Sequence, residues 1–253
     1  YNEPDVGLLT HNKKHWLTVS VGTGYRSHPA DESITDNFHV MLDNAVYTPL
    51  VKNIQGTGTF ETLTLADMVG LEITNGALSK GEMSDKNLLE MAALENNPKS
   101  GWYLKLPEAG EKVLATSITS NGSVMFTTLV PGSGASTAVS DPCTAPLTQG
   151  RFYSMNILTG SAGNNINDDI DDDNSNDDDD APKDEITDDD LFKVVTANEI
   201  PGTPQLFFNE PTCEGEICEQ LVDIRVGKKA SQIISYDAAR LESVFWTNPE
   251  SAD

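Results

Sequence analysis

The residues in this sequence best suited to chemistry are carboxylates. Asp169, Asp171, Asp173 and Asp177 stand in the spacing D-x-D-x-D-x-x-x-D. Closely spaced carboxylates on a bent loop supply the hard oxygen ligands that calcium takes, about six to eight of them. A second register, Asp172, Asn174, Asn176 and Asp180, fits if asparagine carbonyls replace carboxylates. Two positions depart from a tight calcium loop: the sixth is Asn174, where Gly would ease the turn, and the twelfth is Asp180, shorter than Glu. Composition also produces such matches by itself. With thirteen aspartates among the 27 residues from Asn164 to Asp190, about one four-hit register is expected by chance. The alternative to a calcium site is a solvated acidic loop.

Other reactive residues are sparse. Cys213 and Cys218 frame Cys213-Glu-Gly-Glu-Ile-Cys218, a spacing compatible with a short-loop disulfide and equally with two free thiols. It does not suit a structural zinc site, which would want different spacing and a nearby His. Cys143 is then left without a partner in this sequence. His11, His15, His28 and His39 all fall in the first forty residues: two beside Lys13 and Lys14, one before Pro29, one in an apolar run. No G-x-S-x-G elbow, P-loop or H-E-x-x-H is present. Val21-Gly-Thr-Gly24 lacks the third Gly and the following helix of a dinucleotide fingerprint. These residues point away from an enzyme.

Charge narrows the partners. The 253 residues carry 40 acidic and 16 basic side chains, a net of −24 with pI ≈ 4.2. The segment 164–190 holds −13 of this, leaving −11 on the other 226 residues. Such a surface repels phosphate backbones and anionic headgroups, which excludes nucleic acid and an anionic membrane surface. Nothing approaches the ~18 consecutive apolar residues of a membrane span. The sequence opens on Tyr1 with no signal-peptide core, so it is expected to be a processed or truncated piece.

The elements that would position these residues are mainly strands. Short β-branched and aromatic runs are bounded by Gly, Pro, Asn and Asp, as in Trp16–Val21, Ser123–Val130 and Leu221–Val226. Asn121-Gly122 suits a type I′ hairpin. The runs fall into three similar units. The first takes Asp5–Leu9, Leu17–Gly22 and Phe38–Asp43. The second takes Lys112–Ile118, Val124–Val130 and Phe152–Asn156. The third takes Thr203–Phe208, Val222–Gly227 and Ile233–Asp237. A repeated strand–turn–strand unit reads as blades of a β-propeller, with a β-sandwich as the alternative. Between the first two units, 61–98 reads as a helical insertion, with a short segment at Thr64–Val69 and a helix over Asp85–Glu95 N-capped by Ser84. Three units fall short of the roughly four to eight blades that close a ring. The whole of 1–253 is therefore expected to be the C-terminal portion of one propeller domain, carrying the Asp-rich loop 164–190.

Several motifs, taken in order, carry a family likeness. They are Val19-Ser-Val-Gly-Thr-Gly-Tyr-Arg-Ser-His-Pro29, Thr35-Asp-Asn-Phe-His-Val-Met-Leu-Asp43, Gly101-Trp-Tyr-Leu-Lys-Leu106 with Gly110-Glu-Lys-Val-Leu114, Asp141-Pro-Cys143, Arg151-Phe-Tyr-Ser-Met-Asn156 and Ile200-Pro-Gly-Thr-Pro204, closing on Ser243-Val-Phe-Trp246. Together they resemble the C-terminal, quinoprotein-like propeller of the PilY family of type IV pilus biogenesis factors. The likeness spans nearly the whole chain. Phe38-His-Val departs from the Arg-Phe-Tyr that the family often carries, and the acidic insertion is unusually rich in Asp.

The resemblance implies a non-enzymatic protein exported through the periplasm to the pilus tip at the bacterial surface. There it would support pilus assembly, oppose retraction and mediate adhesion to a host or abiotic surface. Implied partners are minor pilins of the tip complex and the missing N-terminal part of the protein. The family often carries a calcium loop in this propeller, which favours Asp169, Asp171, Asp173 and Asp177 as ligands. Alternatives from other classes are a quinoprotein-like dehydrogenase fragment and a free-standing secreted adhesin.

Overall fold

The computed structural model describes residues 2–11, 14–43, 62–132, 148–166, 186–197, 199–210, 212–214, 217–219, 221–226 and 231–237. The fold is mainly β. The first strands are β1 (Asp5–His11), β2 (Lys14–Gly22) and β3 (Asn37–Asp43), a consecutive antiparallel set. Their period-2 pattern decides the faces. In β3, Phe38, Val40 and Leu42 are buried while His39 and Met41 on the opposite face stay half-buried.

The insertion that follows is less helical than the sequence suggests. A 3₁₀ turn over Leu65–Asp67 is tied by the Asp67 carboxylate, which accepts the Thr64 N–H and hydroxyl, both at 2.8 Å. The chain then becomes extended at Met68 and forms β4 (Val69–Thr74) and β5 (Ala77–Ser79). The expected helix over Asp85–Glu95 is only α1, Leu88–Ala92. Its cap is Asn87 rather than Ser84: the Asn87 side chain accepts the Glu90 N–H at 3.0 Å, and Glu90 returns a bond to the Asn87 N–H at 2.9 Å. That reciprocal box fixes the helix start three residues later than expected. Leu88 and Met91 are its buried face.

After α1, β6 (Gly101–Lys105) completes the first sheet, ordered β1-β2-β3-β6-β4-β5. All neighbours in it are antiparallel except β4 beside β6. No described helix is long and apolar enough to cross a membrane.

The second sheet takes β7 (Lys112–Val113), β8 (Ile118–Ser120), β9 (Ser123–Val130), β10 (Gln149–Asn156) and β11 (Phe192–Ala197). Its order is β11-β10-β9-β7, with β8 also on β9. The single strand expected over Lys112–Ile118 is thus broken. Val113 N–H donates to the carbonyl of Thr23, the residue that follows β2, at 3.0 Å, which draws this part of the strand toward the neighbouring layer. Asn121 and Gly122 both take positive φ, 48° and 75°, as the hairpin between β8 and β9 requires.

The third sheet is β12 (Gln205–Phe208), β15 (Leu221–Val226) and β16 (Ser231–Asp237), and the chain between β12 and β15 carries the ribbon β13 (Thr212–Glu214) and β14 (Ile217–Glu219). The strands of the three repeat units thus fall in three different sheets, the first of which also takes β4, β5 and β6 from the insertion and the second of which also takes β11.

The sheets stack face to face. Between the first and second, Phe38, Val40 and Trp102 meet Val124, Phe126 and Tyr153. Phe38 stacks on Phe126 with ring centres 3.7 Å apart, and Phe126 stacks on Tyr153 at 4.9 Å. Trp102 is fully buried and its Nε1–H donates to the Ile157 carbonyl at 2.7 Å. Between the second and third sheets lie Met125, Phe152, Ile166, Ile224 and Val226. The second sheet is consequently covered on both faces, and every residue of β9 is buried. Each large side chain so enclosed contributes about 1.5–3 kcal/mol of burial.

Candidate functional site

The proposed calcium ligands Asp169, Asp171, Asp173 and Asp177 lie outside the described residues, as do Cys143 and Ser243–Trp246. The two ends of that acidic segment are described, and they meet. Ile166 N–H donates to Asp190 Oδ1 at 3.0 Å, and Thr187 N–H donates to Asp190 Oδ2 at 3.0 Å. Asp188 next to them accepts the Leu78 N–H at 2.9 Å. Ile166 and Leu191 are buried at this point. The described residues on either side of 167–185 are thus tied together by Asp190, an aspartate of the acidic block itself. Among the described residues, no group of three or more His, Cys, Asp or Glu stands together as metal ligands.

The titratable groups that do converge are ones that spacing did not single out. Glu111, fully buried, sits beneath the second sheet. Its Oε1 accepts the Thr128 hydroxyl at 2.6 Å and the Tyr153 hydroxyl at 2.8 Å. Its Oε2 accepts Arg151 Nη1 at 3.3 Å and the Glu108 N–H at 3.2 Å. Arg151 also donates to Glu108 Oε1 at 2.9 Å and lies 4.6 Å from the centre of the Phe192 ring. Burial pushes the Glu111 carboxyl above its usual range, against the pull of Arg151 and its other donors. Burial likewise raises the Tyr153 hydroxyl well above the usual tyrosine value.

Four donors fill the four lone-pair positions of this carboxylate. A group so saturated acts as a tie rather than as a proton acceptor. It joins the loop before β7 to both β9 and β10. Lys112 extends the tie to the first sheet's loops, since its ammonium donates to the Gly110 carbonyl at 2.7 Å and to the Asp31 carbonyl.

Two of the motifs noted in the sequence supply this cluster. Gly110-Glu-Lys-Val-Leu114 brings Glu111 and Lys112, and Arg151-Phe-Tyr-Ser-Met-Asn156 brings Arg151 and Tyr153. The signal available in the sequence was a charge set directly against an apolar run, which makes burial of that charge necessary and a partner obligatory. Ile200-Pro-Gly-Thr-Pro204 docks nearby, with the Gly202 carbonyl accepting the Thr127 hydroxyl at 2.9 Å.

The first sheet offers a different kind of surface. Register places Val6 opposite Val19, Leu8 opposite Leu17 and Val19 opposite Met41, all on the face turned away from the second sheet. Val6 is 54% exposed and Leu8 61%. His39 and Tyr103 continue this face, with ring centres 6.0 Å apart, and burial lowers the His39 pKa. At its margin β1 pairs with β2 on one side only among the described residues. The arrangement defines a mainly β protein of stacked sheets, the first of which has, among the described residues, an apolar outer face and β1 at its edge. No family model matches the chain, and no curated protein or solved structure matches it.

Proposed function

We propose that this chain is a non-enzymatic binding module, the C-terminal part of a PilY-like β-propeller acting at a type IV pilus tip. The observation that supports the reading is that the strands of the three sequence repeats fall in three different sheets, with apolar clusters between the first and second and between the second and third. Successive blades of a propeller pack in this way. In such a ring, the outer face of the first sheet is where a neighbouring blade lies. The resemblance motifs also serve the stack. Phe38 and Trp102 fill the first interface, and Glu111, Arg151 and Tyr153 lock the second sheet.

In this reading the partners are minor pilins and the remainder of the propeller, and the setting is extracellular. The acidic segment with Asp169, Asp171, Asp173 and Asp177 takes calcium, which draws together carboxylates that otherwise repel one another. The anchored ends at Ile166 and Asp190 keep such a loop closed at its base.

The test is retention of a purified minor pilin complex by the immobilised, folded chain. Retention supports the tip role, and a chain that retains nothing while its thermal unfolding remains cooperative overturns it. Calorimetry separates the calcium component: heat of binding at or below millimolar calcium supports the site, and its absence removes it.

A further inference from the structure

The ribbon of β13 and β14 pairs Thr212 with Glu219, Cys213 with Cys218 and Glu214 with Ile217. Only Gly215 and Glu216 separate the two strands in sequence. In a hairpin with a two-residue connection, the pair that flanks the connection exchanges the backbone hydrogen bonds. Here that pair is Glu214 and Ile217. Antiparallel pairs alternate, so Cys213 and Cys218 form a non-hydrogen-bonded pair, with Cα atoms about 4.5 Å apart. That lies inside the range of about 4.4–6.8 Å that a disulfide spans. The register thus narrows a spacing that left the two thiols open.

We propose that Cys213 and Cys218 are joined by a cross-strand disulfide that clasps this ribbon. The inference rests on strand register and does not depend on the pilus reading. The chemistry is thiol–disulfide exchange with a disulfide oxidant, either a dithiol–disulfide oxidoreductase or oxidised glutathione. One cysteine thiolate attacks the oxidant's disulfide, forming a mixed disulfide and releasing the first oxidant thiolate. The second cysteine thiolate then attacks the sulfur of the first cysteine, forming the new bond and expelling the second oxidant thiolate. Two cysteines are oxidised, one oxidant disulfide is reduced, and the two cysteine protons end on the released thiols. The clasp forms in an oxidising compartment and opens in a reducing one.

The full chain, equilibrated with oxidised and reduced glutathione, is denatured, alkylated and analysed by intact mass and peptide mapping. Before alkylation the oxidised chain is expected to be lighter than the reduced chain by about two hydrogens, and on alkylation it takes one alkyl group out of a possible three, on Cys143. Its linked fragment joins Cys213 to Cys218 and survives in Cys143→Ser. In Cys213→Ser the link is lost and Cys218 becomes alkylated. Three alkylated cysteines after oxidation, or a link from Cys143 to either ribbon cysteine, overturns the proposal.

Discussion

The second sheet and the outer face of the first differ in what covers them, and the difference can be traced to individual residues. In β9 both faces are enclosed, and the sequence Ser-Val-Met-Phe-Thr-Thr-Leu-Val reads as an almost unbroken apolar run. Its two threonines are buried only because each hydroxyl has an acceptor, Gly202 O for Thr127 and Glu111 for Thr128. In β1, Val6 and Leu8 are exposed while Leu9 on the other face packs against the core. A strand in the middle of a stack must satisfy every polar group internally, whereas a strand at its end needs one apolar face for folding. Apolar residues on the end strand's second face are then surplus to the stability of the described layers.

This contrast can be broken most forcefully at the first interface. Trp102→Ala removes a fully buried ring and orphans the Ile157 carbonyl. It is expected to cost about 3–5 kcal/mol in denaturant unfolding. A loss below 1 kcal/mol would mean the sheets do not pack as described.

A comparable loss is expected at the ion cluster. Arg151→Met leaves the buried Glu111 carboxylate without its cation, a change expected to cost about 3–5 kcal/mol, part of which Glu111→Gln in the same chain restores. Glu111 also sets a pH dependence. Its folded pKa lies above the unfolded 4.5, so its contribution to stability is full below that pH and is lost as pH rises through the folded value. Glu111→Gln therefore gains on the native chain as pH rises above 4.5, as unfolding free energies measured on both sides of that pH would show. Parallel curves for the two proteins would contradict this.

Smaller effects sharpen the same comparison. Gly122→Ala meets no neighbour within 4 Å, so its cost comes from positive φ alone and is expected to be about 1 kcal/mol. Leu8→Lys on the outer face should change stability by less than about 0.5 kcal/mol. A larger loss would place a described or adjoining segment over that face.

The strand content was legible in the sequence because short β-branched and aromatic runs are bounded by Gly, Asn, Asp or Pro, as in β2, β9 and β15. Asn121-Gly122 marked its hairpin for the same local reason. What failed was non-local. β4 and β5 lie inside the insertion read as helical, and the pairing of β4 with β6 and of β5 with β4 makes that part of it strand. The break between β7 and β8 follows from Thr23, some ninety residues earlier. The cluster around Glu111 depends on Thr128, Arg151 and Tyr153 arriving from two other strands, which no spacing rule reads. Asp169, Asp171, Asp173 and Asp177 stand in a charge run whose composition alone generates the calcium spacing, and they lie outside the described residues.

Amide hydrogen exchange tests the central contrast most directly. The middle strands at 123–130 and 149–156 should exchange most slowly, near the rate of global unfolding, while the edge strand at 5–11 exchanges through local opening and much sooner. Equal protection of the edge strand, or early exchange within 123–130, would contradict a second sheet enclosed between two others.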